Sequence, residues 1–303
     1  MAKNANFGRV MTAMVTPFAA DGSVDYEQCG ALAKMLLASG SDGLVLTGTT
    51  GETPTLSIEE QVEVWRAVRR AVGPDATIIG GASTNSTSES LEMVREGADA
   101  GMSGLMFTVP YYNKPPQEGL YRHFRVLAES TPLPCILYNI PGRTSLNMTA
   151  ETTLRLANDV PNIVGIKEAA GDMVQAKAIC DAAPEGFRLW SGDDALTLNV
   201  LDQGGWGIVS VASHLIGAQI SEMISTYVSG DVAGARAIEA RLMPLFNILF
   251  IETNPIPVKY ALNHAGIRVG SLRLPMIEAS SDAQARIDAE MAKHKLDVLA
   301  VHA

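Results

Sequence analysis

The sequence predicts an α/β chain: a (β/α)8 barrel of the TIM type with a C-terminal helical extension. Three observations carry this. Short apolar runs rich in β-branched residues recur eight times, at 10–15, 43–46, 77–79, 105–109, 135–138, 163–166, 187–190 and 208–211. Stretches with helical spacing separate them, at 26–38, 58–72, 87–98, 118–128, 150–158, 173–182 and 195–201, which makes each strand–helix unit about 25–30 residues long. The runs are apolar throughout rather than alternating, as strands covered on both faces are. A doubly wound open sheet is the alternative that alternation alone leaves open.

Start and stop signals support the helices. Ser57 followed by Glu60, and Ser86 followed by Glu89, fit the capping box, in which each side chain satisfies the other residue's free backbone N–H. Gly40, Gly73-Pro74 and Gly101 stand where helical patterns stop. The eighth unit ends near Gly230, and only helical patterns follow, at 232–250, 257–265 and 282–296. The expected organisation is therefore a barrel over 1–230 that carries the active site, and an extension over 231–303 packed on it. No low-complexity linker or short-period repeat interrupts the chain.

Composition narrows the function classes. Of 303 residues, 47% are hydrophobic and 18% charged, against roughly 25% charged in ordinary soluble domains. Such a chain can fill a large core, which excludes intrinsic disorder. The net charge is −10, and no cluster of Lys and Arg offers a phosphate-neutralising surface, so no nucleic-acid partner is expected. Cys29, Cys135 and Cys180 are too scattered for a disulfide framework or zinc site and read as reduced thiols. The N-terminus lacks the apolar core of a signal peptide, and no apolar run approaches the roughly 18 residues of a membrane span. A cytoplasmic protein with no membrane partner is expected.

In an α/β barrel the chemistry lies where strands end. The second run ends in Thr47-Gly48-Thr49-Thr50-Gly51-Glu52. Glycines flanking hydroxyl residues let backbone N–H groups converge on an anion, although an ordinary glycine turn has the same string. The sixth run ends in Lys167-Glu168, and Lys167 is the one lysine that closes an apolar strand run. Desolvation there lowers an amine's pKa and frees it to attack a carbonyl carbon as a Schiff-base nucleophile. Snorkelling beside Glu168 is the competing reading. The fifth run ends in Tyr138, with Arg143 shortly after. A tyrosine at a barrel mouth can move protons and an arginine can grip a carboxylate, but Tyr138 alone also reads as a core aromatic. Tyr111 and Tyr112 follow the fourth run; in extended chain they point opposite ways, one into a site and one toward a neighbour. Asp193-Asp194 reads as a helix N-cap before a magnesium site. No P-loop, GxGxxG, GxSxG or HExxH pattern is present.

The strings GTTGE at 48–52, VPYYNKP at 109–115, YNIPGRT at 138–144 and GIKEA at 165–169 together resemble the dihydrodipicolinate synthase / N-acetylneuraminate lyase superfamily of class I aldolases. The similarity runs from about residue 10 to 275, since NPIPVKYAL at 254–262 is also similar to that family's C-terminal region. Val109 departs from it, standing where the family often has threonine. The resemblance implies a Schiff base between Lys167 and pyruvate, with Tyr138, Thr49 and Tyr112 of the partner subunit as a proton relay. It implies that Thr50 and the Thr49 backbone hold the pyruvate carboxylate, and that Arg143 binds the carboxylate of L-aspartate 4-semialdehyde. Gly192 and Val209 line the pocket, and no metal or organic cofactor is required. Arg143 in its string favours the synthase branch over the sialic-acid lyases, with 2-keto-3-deoxy sugar-acid aldolases or dehydratases as the runner-up and a non-catalytic barrel as the remote alternative. Asn85, Glu89 and Tyr111 match positions of a lysine-binding regulatory site at a subunit interface. Ile58 and Gln61 replace histidines that some inhibited members carry, so weak lysine inhibition is expected, in a homotetramer built as a dimer of dimers.

Overall fold

In the computed structural model, which describes residues 7–298, every one of the eight apolar runs forms a strand. They are β1 (Val10–Ala13), β2 (Gly43–Leu46), β3 (Thr77–Gly81), β4 (Gly104–Thr108), β5 (Cys135–Asn139), β6 (Ile163–Glu168), β7 (Arg188–Ser191) and β8 (Gly207–Ser210). The sheet is a closed parallel barrel with the strands in chain order, which resolves the choice against an open sheet. Nearly every strand residue is buried, as the unbroken apolar runs require of strands covered on both faces.

The helices are α1 (Tyr26–Ala38), α2 (Ile58–Val72), α3 (Thr87–Asp99), α4 (Gln117–Glu129), α5 (Pro141–Thr144), α6 (Ala150–Asp159), α7 (Met173–Ala182), α8 (Thr197–Asp202), α9 (Ser213–Val228), α10 (Val232–Ile248), α11 (Ile256–His264) and α12 (Ser281–Met291). At α2 the capping box is complete: Glu60 N–H donates to Ser57 Oγ, and Ser57 N–H donates to Glu60 Oε2. At α3 only half forms. Ser86 Oγ accepts from Glu89 N–H, while the Glu89 carboxylate takes the Thr84 hydroxyl instead, at 3.0 Å. The short α5 lies where the sequence shows no helical spacing; Pro141 starts it and Ser145, in the left-handed region, ends it. The last helix stops at Met291 rather than continuing to 296.

By internal contacts the chain falls into two compact units. In the first, Thr77–Val209 with the segment ending at Arg9, the indole N–H groups of Trp190 and Trp206 both donate to the Gly8 carbonyl, at 3.0 and 2.8 Å. The guanidinium groups of Arg9 and Arg188 lie over the Trp206 ring, 3.7 and 4.2 Å from its centroid. Gly207 must lack a side chain, because a Cβ there would stand 2.0 Å from the Arg9 carbonyl oxygen.

In the second unit, Val10–Ala76 with the chain from Ser210 onward, the buried Thr12 hydroxyl meets Ser41 Oγ and Ser213 Oγ, at 2.5 and 2.7 Å. Helix α9 is kinked at Ile216. Before the kink lies His214, fully buried. Its Nε2 accepts from Val15 N–H at 3.1 Å, and its Nδ1 lies 2.8 Å from the Val211 carbonyl. These partners fix a neutral ring with its proton on Nδ1. Burial drives the pKa of His214 down to about 4. Among the described residues no helix is long and apolar enough to cross a membrane.

Between pH 6.5 and about 4 the unfolded chain binds a proton at His214 that the folded chain refuses, so stability rises with pH across that window. His123, also lowered to about 4 by burial, adds to the same slope. Denaturant midpoints should therefore fall steadily as pH drops from 6.5 toward 4. His214→Gln should flatten that slope, whatever its effect at neutral pH.

Candidate functional site

Parallel pairing of β5 with β6 places Tyr138 opposite Lys167 and Asn139 opposite Glu168. Neighbouring side chains on a strand point to opposite faces, so the first pair shares one face and the second pair the other. Lys167 is only 5% exposed. Burial drives its amine pKa down to about 8, the Asp194 carboxylate pulls the other way, and the Arg143 guanidinium pushes it further down. Its Nζ lies 4.3 Å from the centroid of the buried Tyr138 ring. The snorkelling reading fails here, since the amine stays out of water and Glu168 is engaged elsewhere, with Asn139 and Gln175.

Gly192, just after β7, packs against this lysine. A Cβ there would come within 2.5 Å of Ala169 Cβ and 3.1 Å of Lys167 Cε. Val209 is buried in β8. The two aspartates divide their tasks. Asp193 Oδ1 accepts from Ala195 N–H at 2.9 Å, the expected N-cap, whereas Asp194 is buried and acts on Lys167. The cap reading from sequence missed the second role, because nothing local distinguishes a buried aspartate from its half-buried neighbour. Arg143 is exposed near the end of α5, within electrostatic reach of the amine.

The chain after β4 turns sharply. Val109 N–H donates to the Tyr138 carbonyl at 2.9 Å. Asn85 Nδ2 donates to the Tyr111 carbonyl at 3.1 Å, and Asn113 Nδ2 to the Asn85 carbonyl at 2.8 Å. Burial raises the pKa of the Tyr111 hydroxyl, and the charge of Glu89 raises it further. The three residues assigned to a regulatory site, Asn85, Glu89 and Tyr111, thus gather in one place. Tyr112 is 90% exposed and adopts φ +72°, a strained conformation for an aromatic residue.

The turn after β2, in the second unit, is held from several sides. A 3-10 turn over Thr49–Gly51 is flanked by two non-glycine residues in the left-handed region, Thr47 at φ 49° and Glu52 at φ 58°. Trp65 Nε1 donates to Thr47 Oγ1 at 2.8 Å, and the Thr16 hydroxyl donates to the Gly51 carbonyl at 2.7 Å. Thr50 is buried, its Oγ1 accepting from Asn254 Nδ2 at 2.9 Å; Thr49 is half-buried. Glu52 is buried and pairs with the buried Lys259 of α11 at 2.7 Å, while Arg273 N–H donates to its other oxygen. Lys259 Nζ also donates to the Ser271 carbonyl and lies over the Phe18 ring. Sequence reasoning reached the turn but not this pair, whose members stand 207 positions apart.

A buried amine at the end of a barrel strand, its pKa lowered to about 8 and a tyrosine ring against it, is suited to forming an imine with a carbonyl substrate. The chain belongs to the dihydrodipicolinate synthetase family, whose model matches residues 6–294. The 4-hydroxy-tetrahydrodipicolinate synthase of Symbiobacterium thermophilum is 56% identical over 278 residues, which are 92% of this chain and 94% of that one. Its counterpart in Thermosynechococcus vestitus is 52% identical over 276 residues, 91% of this chain and 93% of that one. The crystal structure of DHDPS from Cyanidioschyzon merolae with lysine bound superposes with a TM-score of 0.93 at 47% identity, covering 95% of this chain and 98% of that one. The chloride-inhibited dihydrodipicolinate synthase from Acinetobacter baumannii complexed with pyruvate does so with a TM-score of 0.91 at 36% identity, covering 95% and 98%.

The buried ion pair makes a stability prediction. Lys259→Met leaves the Glu52 carboxylate buried without its cation, which should cost roughly 3–5 kcal/mol in equilibrium unfolding. The double variant Glu52→Gln/Lys259→Met removes both charges and should recover a measurable part of that loss.

Proposed function

We propose that this chain condenses pyruvate with L-aspartate 4-semialdehyde to form 4-hydroxy-tetrahydrodipicolinate, a carbon–carbon lyase reaction run toward bond formation on the way to diaminopimelate and lysine. The observation that carries the reading is Lys167, a buried amine with its pKa lowered to about 8, against the Tyr138 ring. Relatives 56% and 52% identical over about nine-tenths of this chain bear the synthase name. A sugar-acid aldolase would use the same lysine, but nothing in the described geometry favours it.

The chemistry follows from those groups. The neutral amine adds to the C2 carbonyl of pyruvate, and the adduct loses water to give an imine on Lys167. Loss of a C3 proton gives the enamine, whose C3 attacks the aldehyde carbon and leaves an alcohol there. The amino group of the second substrate then adds to C2, closes the ring and releases Lys167 as the free amine. Each proton needs a donor or acceptor at hand, and in this reading Tyr138, whose ring lies 4.3 Å from the Lys167 amine, takes that part. In this reading Thr49 and Tyr112 of the partner subunit continue the relay, which accounts for an aromatic residue held strained and outward on a single chain. Thr50 and the Thr49 backbone hold the pyruvate carboxylate, and Arg143 the second carboxylate. Gly192 and Val209 line the pocket. The working form is a cytoplasmic homotetramer, a dimer of dimers, with the barrel ending near 230 and the helices after it as its extension.

The test mixes protein, pyruvate and L-aspartate 4-semialdehyde and follows product through its NADPH-dependent reductase. Wild type should turn over on the order of 1 s⁻¹ or faster, and Lys167→Ala should lose this by about a thousandfold or more. Borohydride trapping of the pyruvyl adduct should rise with pH and bend near 8, as the amine loses its proton. An adduct without condensation would move the assignment to a sugar-acid substrate.

Regulation is part of the proposal. Asn85, Glu89 and Tyr111 supply a polar cluster suited to an amino acid, while partly exposed Ile58 and buried Gln61 offer no imidazole. Initial rates should fall by less than half in the presence of sub-millimolar lysine; strong inhibition at that concentration refutes this.

A further inference from the structure

We infer that Asn139 and Glu168 are positioning residues for the Tyr138–Lys167 pair, acting as a clamp on the opposite face of the sheet that fixes the register in which those two groups meet. The inference rests on the proposed use of Lys167 and Tyr138 and adds to it the device that aligns them.

The need for a clamp comes from an irregularity. Where β5 and β6 begin to pair, Cys135 lies opposite Ile163, but Ile136 already lies opposite Gly165. Val164 is the extra residue of a bulge. Register beyond a bulge is not dictated by register before it. A slip of one residue would turn Lys167 to the helix side of the sheet. Something past the bulge must hold the strands in step.

Asn139 and Glu168 are the next register pair after Tyr138 and Lys167, and both are buried. Asn139 Nδ2 donates to both Glu168 carboxylate oxygens at 3.1 Å, and to Asn147 Oδ1 at 2.7 Å. Its Oδ1 accepts from Met148 N–H at 3.0 Å. That backbone donor fixes the orientation of the amide, so the NH2 must face Glu168. Glu168 further accepts from Ala170 N–H at 2.8 Å and from Gln175 Nε2 of α7 at 3.0 Å. Burial raises its pKa while these bonds lower it, and no cation pairs with it among the described residues. Every group facing Glu168 is a donor. Only an acceptor-only side chain answers that arrangement, so glutamine, though the same shape, would set an NH2 against other N–H groups.

The experiment compares wild type, Glu168→Gln and Gln175→Met, with the reciprocal double variant Asn139→Asp/Glu168→Gln, which exchanges donor and acceptor. Glu168→Gln should lower kcat by about tenfold or more, in line with the cost of a misplaced reacting group, and shift the pyruvate KM by less than about threefold. The pH at which the borohydride-trapped adduct forms should stay where it is in wild type, because Glu168 is not among the charges acting on Lys167. The double variant should recover at least about a third of the lost logarithm of kcat. Gln175→Met, on a half-buried helix position, removes one donor and should cost about two- to fivefold, which keeps the test open if Glu168→Gln fails to fold. A crystal structure of either variant reads the register without turnover, and the 4.3 Å spacing of Lys167 Nζ from the Tyr138 ring should lengthen. The inference is overturned by kcat within twofold of wild type, by a double variant no better than the single, by a shifted pH profile, or by unchanged spacing in an impaired variant. Absence of any pyruvyl adduct in wild type would instead indict the functional reading, and the spacing would still judge the clamp.

Discussion

An ammonium ion is costly to remove from water, and the active end of this molecule is organised around that cost. Lys167 is buried at the end of a strand covered on both faces, with Gly192 and the Tyr138 ring against it. Burial makes the proton easier to lose, bringing the pKa down to about 8. Two charges then trim the result in opposite senses, Asp194 holding the proton and Arg143 repelling it. A lysine free in solvent would be almost wholly protonated at neutral pH. One sealed without Asp194 would lean further toward the free amine, and the proposed imine, cationic when protonated, would find no counter-charge. The arrangement suits a group that must be neutral to attack and charged afterwards.

Much of this was readable in the sequence. All eight strands and the longer helices between them announce themselves through period and punctuation, the strands because burial on both faces leaves an unbroken apolar signature. Lys167 stands out for the same reason, as a charge at the end of such a run. The signals that failed were those whose meaning depends on partners elsewhere in the chain. Glu89 had the spacing of a capping box, but the Thr84 hydroxyl competes for its carboxylate. Asp194 looked like a second cap, and its burial beside Lys167 follows only from closure of the barrel. The helix over Pro141–Thr144 is too short for any period to show. The amide network around Glu168 joins residues from 139 to 175, and no local pattern encodes it.

Two buried glutamates illustrate two solutions to one problem. Glu52 is neutralised by a formal cation, Lys259, in a tight ionic contact. Glu168 is solvated by neutral amides and backbone N–H groups alone. A cation beside Glu168 would add a full charge near the lysine whose proton balance matters, whereas amide dipoles satisfy the carboxylate and are felt only nearby. The Glu52–Lys259 pair is not among the charges that act on Lys167, so a formal cation there carries no such penalty.

The Glu52–Lys259 contact has a bearing on how such a chain can change over generations. Asn254, Lys259 and Arg273 all reach the turn that carries Thr49 and Thr50, from the segment after the last strand. The two stretches are therefore inherited as a unit. A recombination event that joined the first half of one relative to the tail of another would pass through the strands unharmed if the barrel registers agreed. It would still fail wherever the incoming tail lacked the ammonium that answers Glu52. Three positions of the C-terminal segment, Asn254 before α11, Lys259 within it and Arg273 after it, are thus tied to a turn some two hundred residues upstream, and a change at any of them must be matched there.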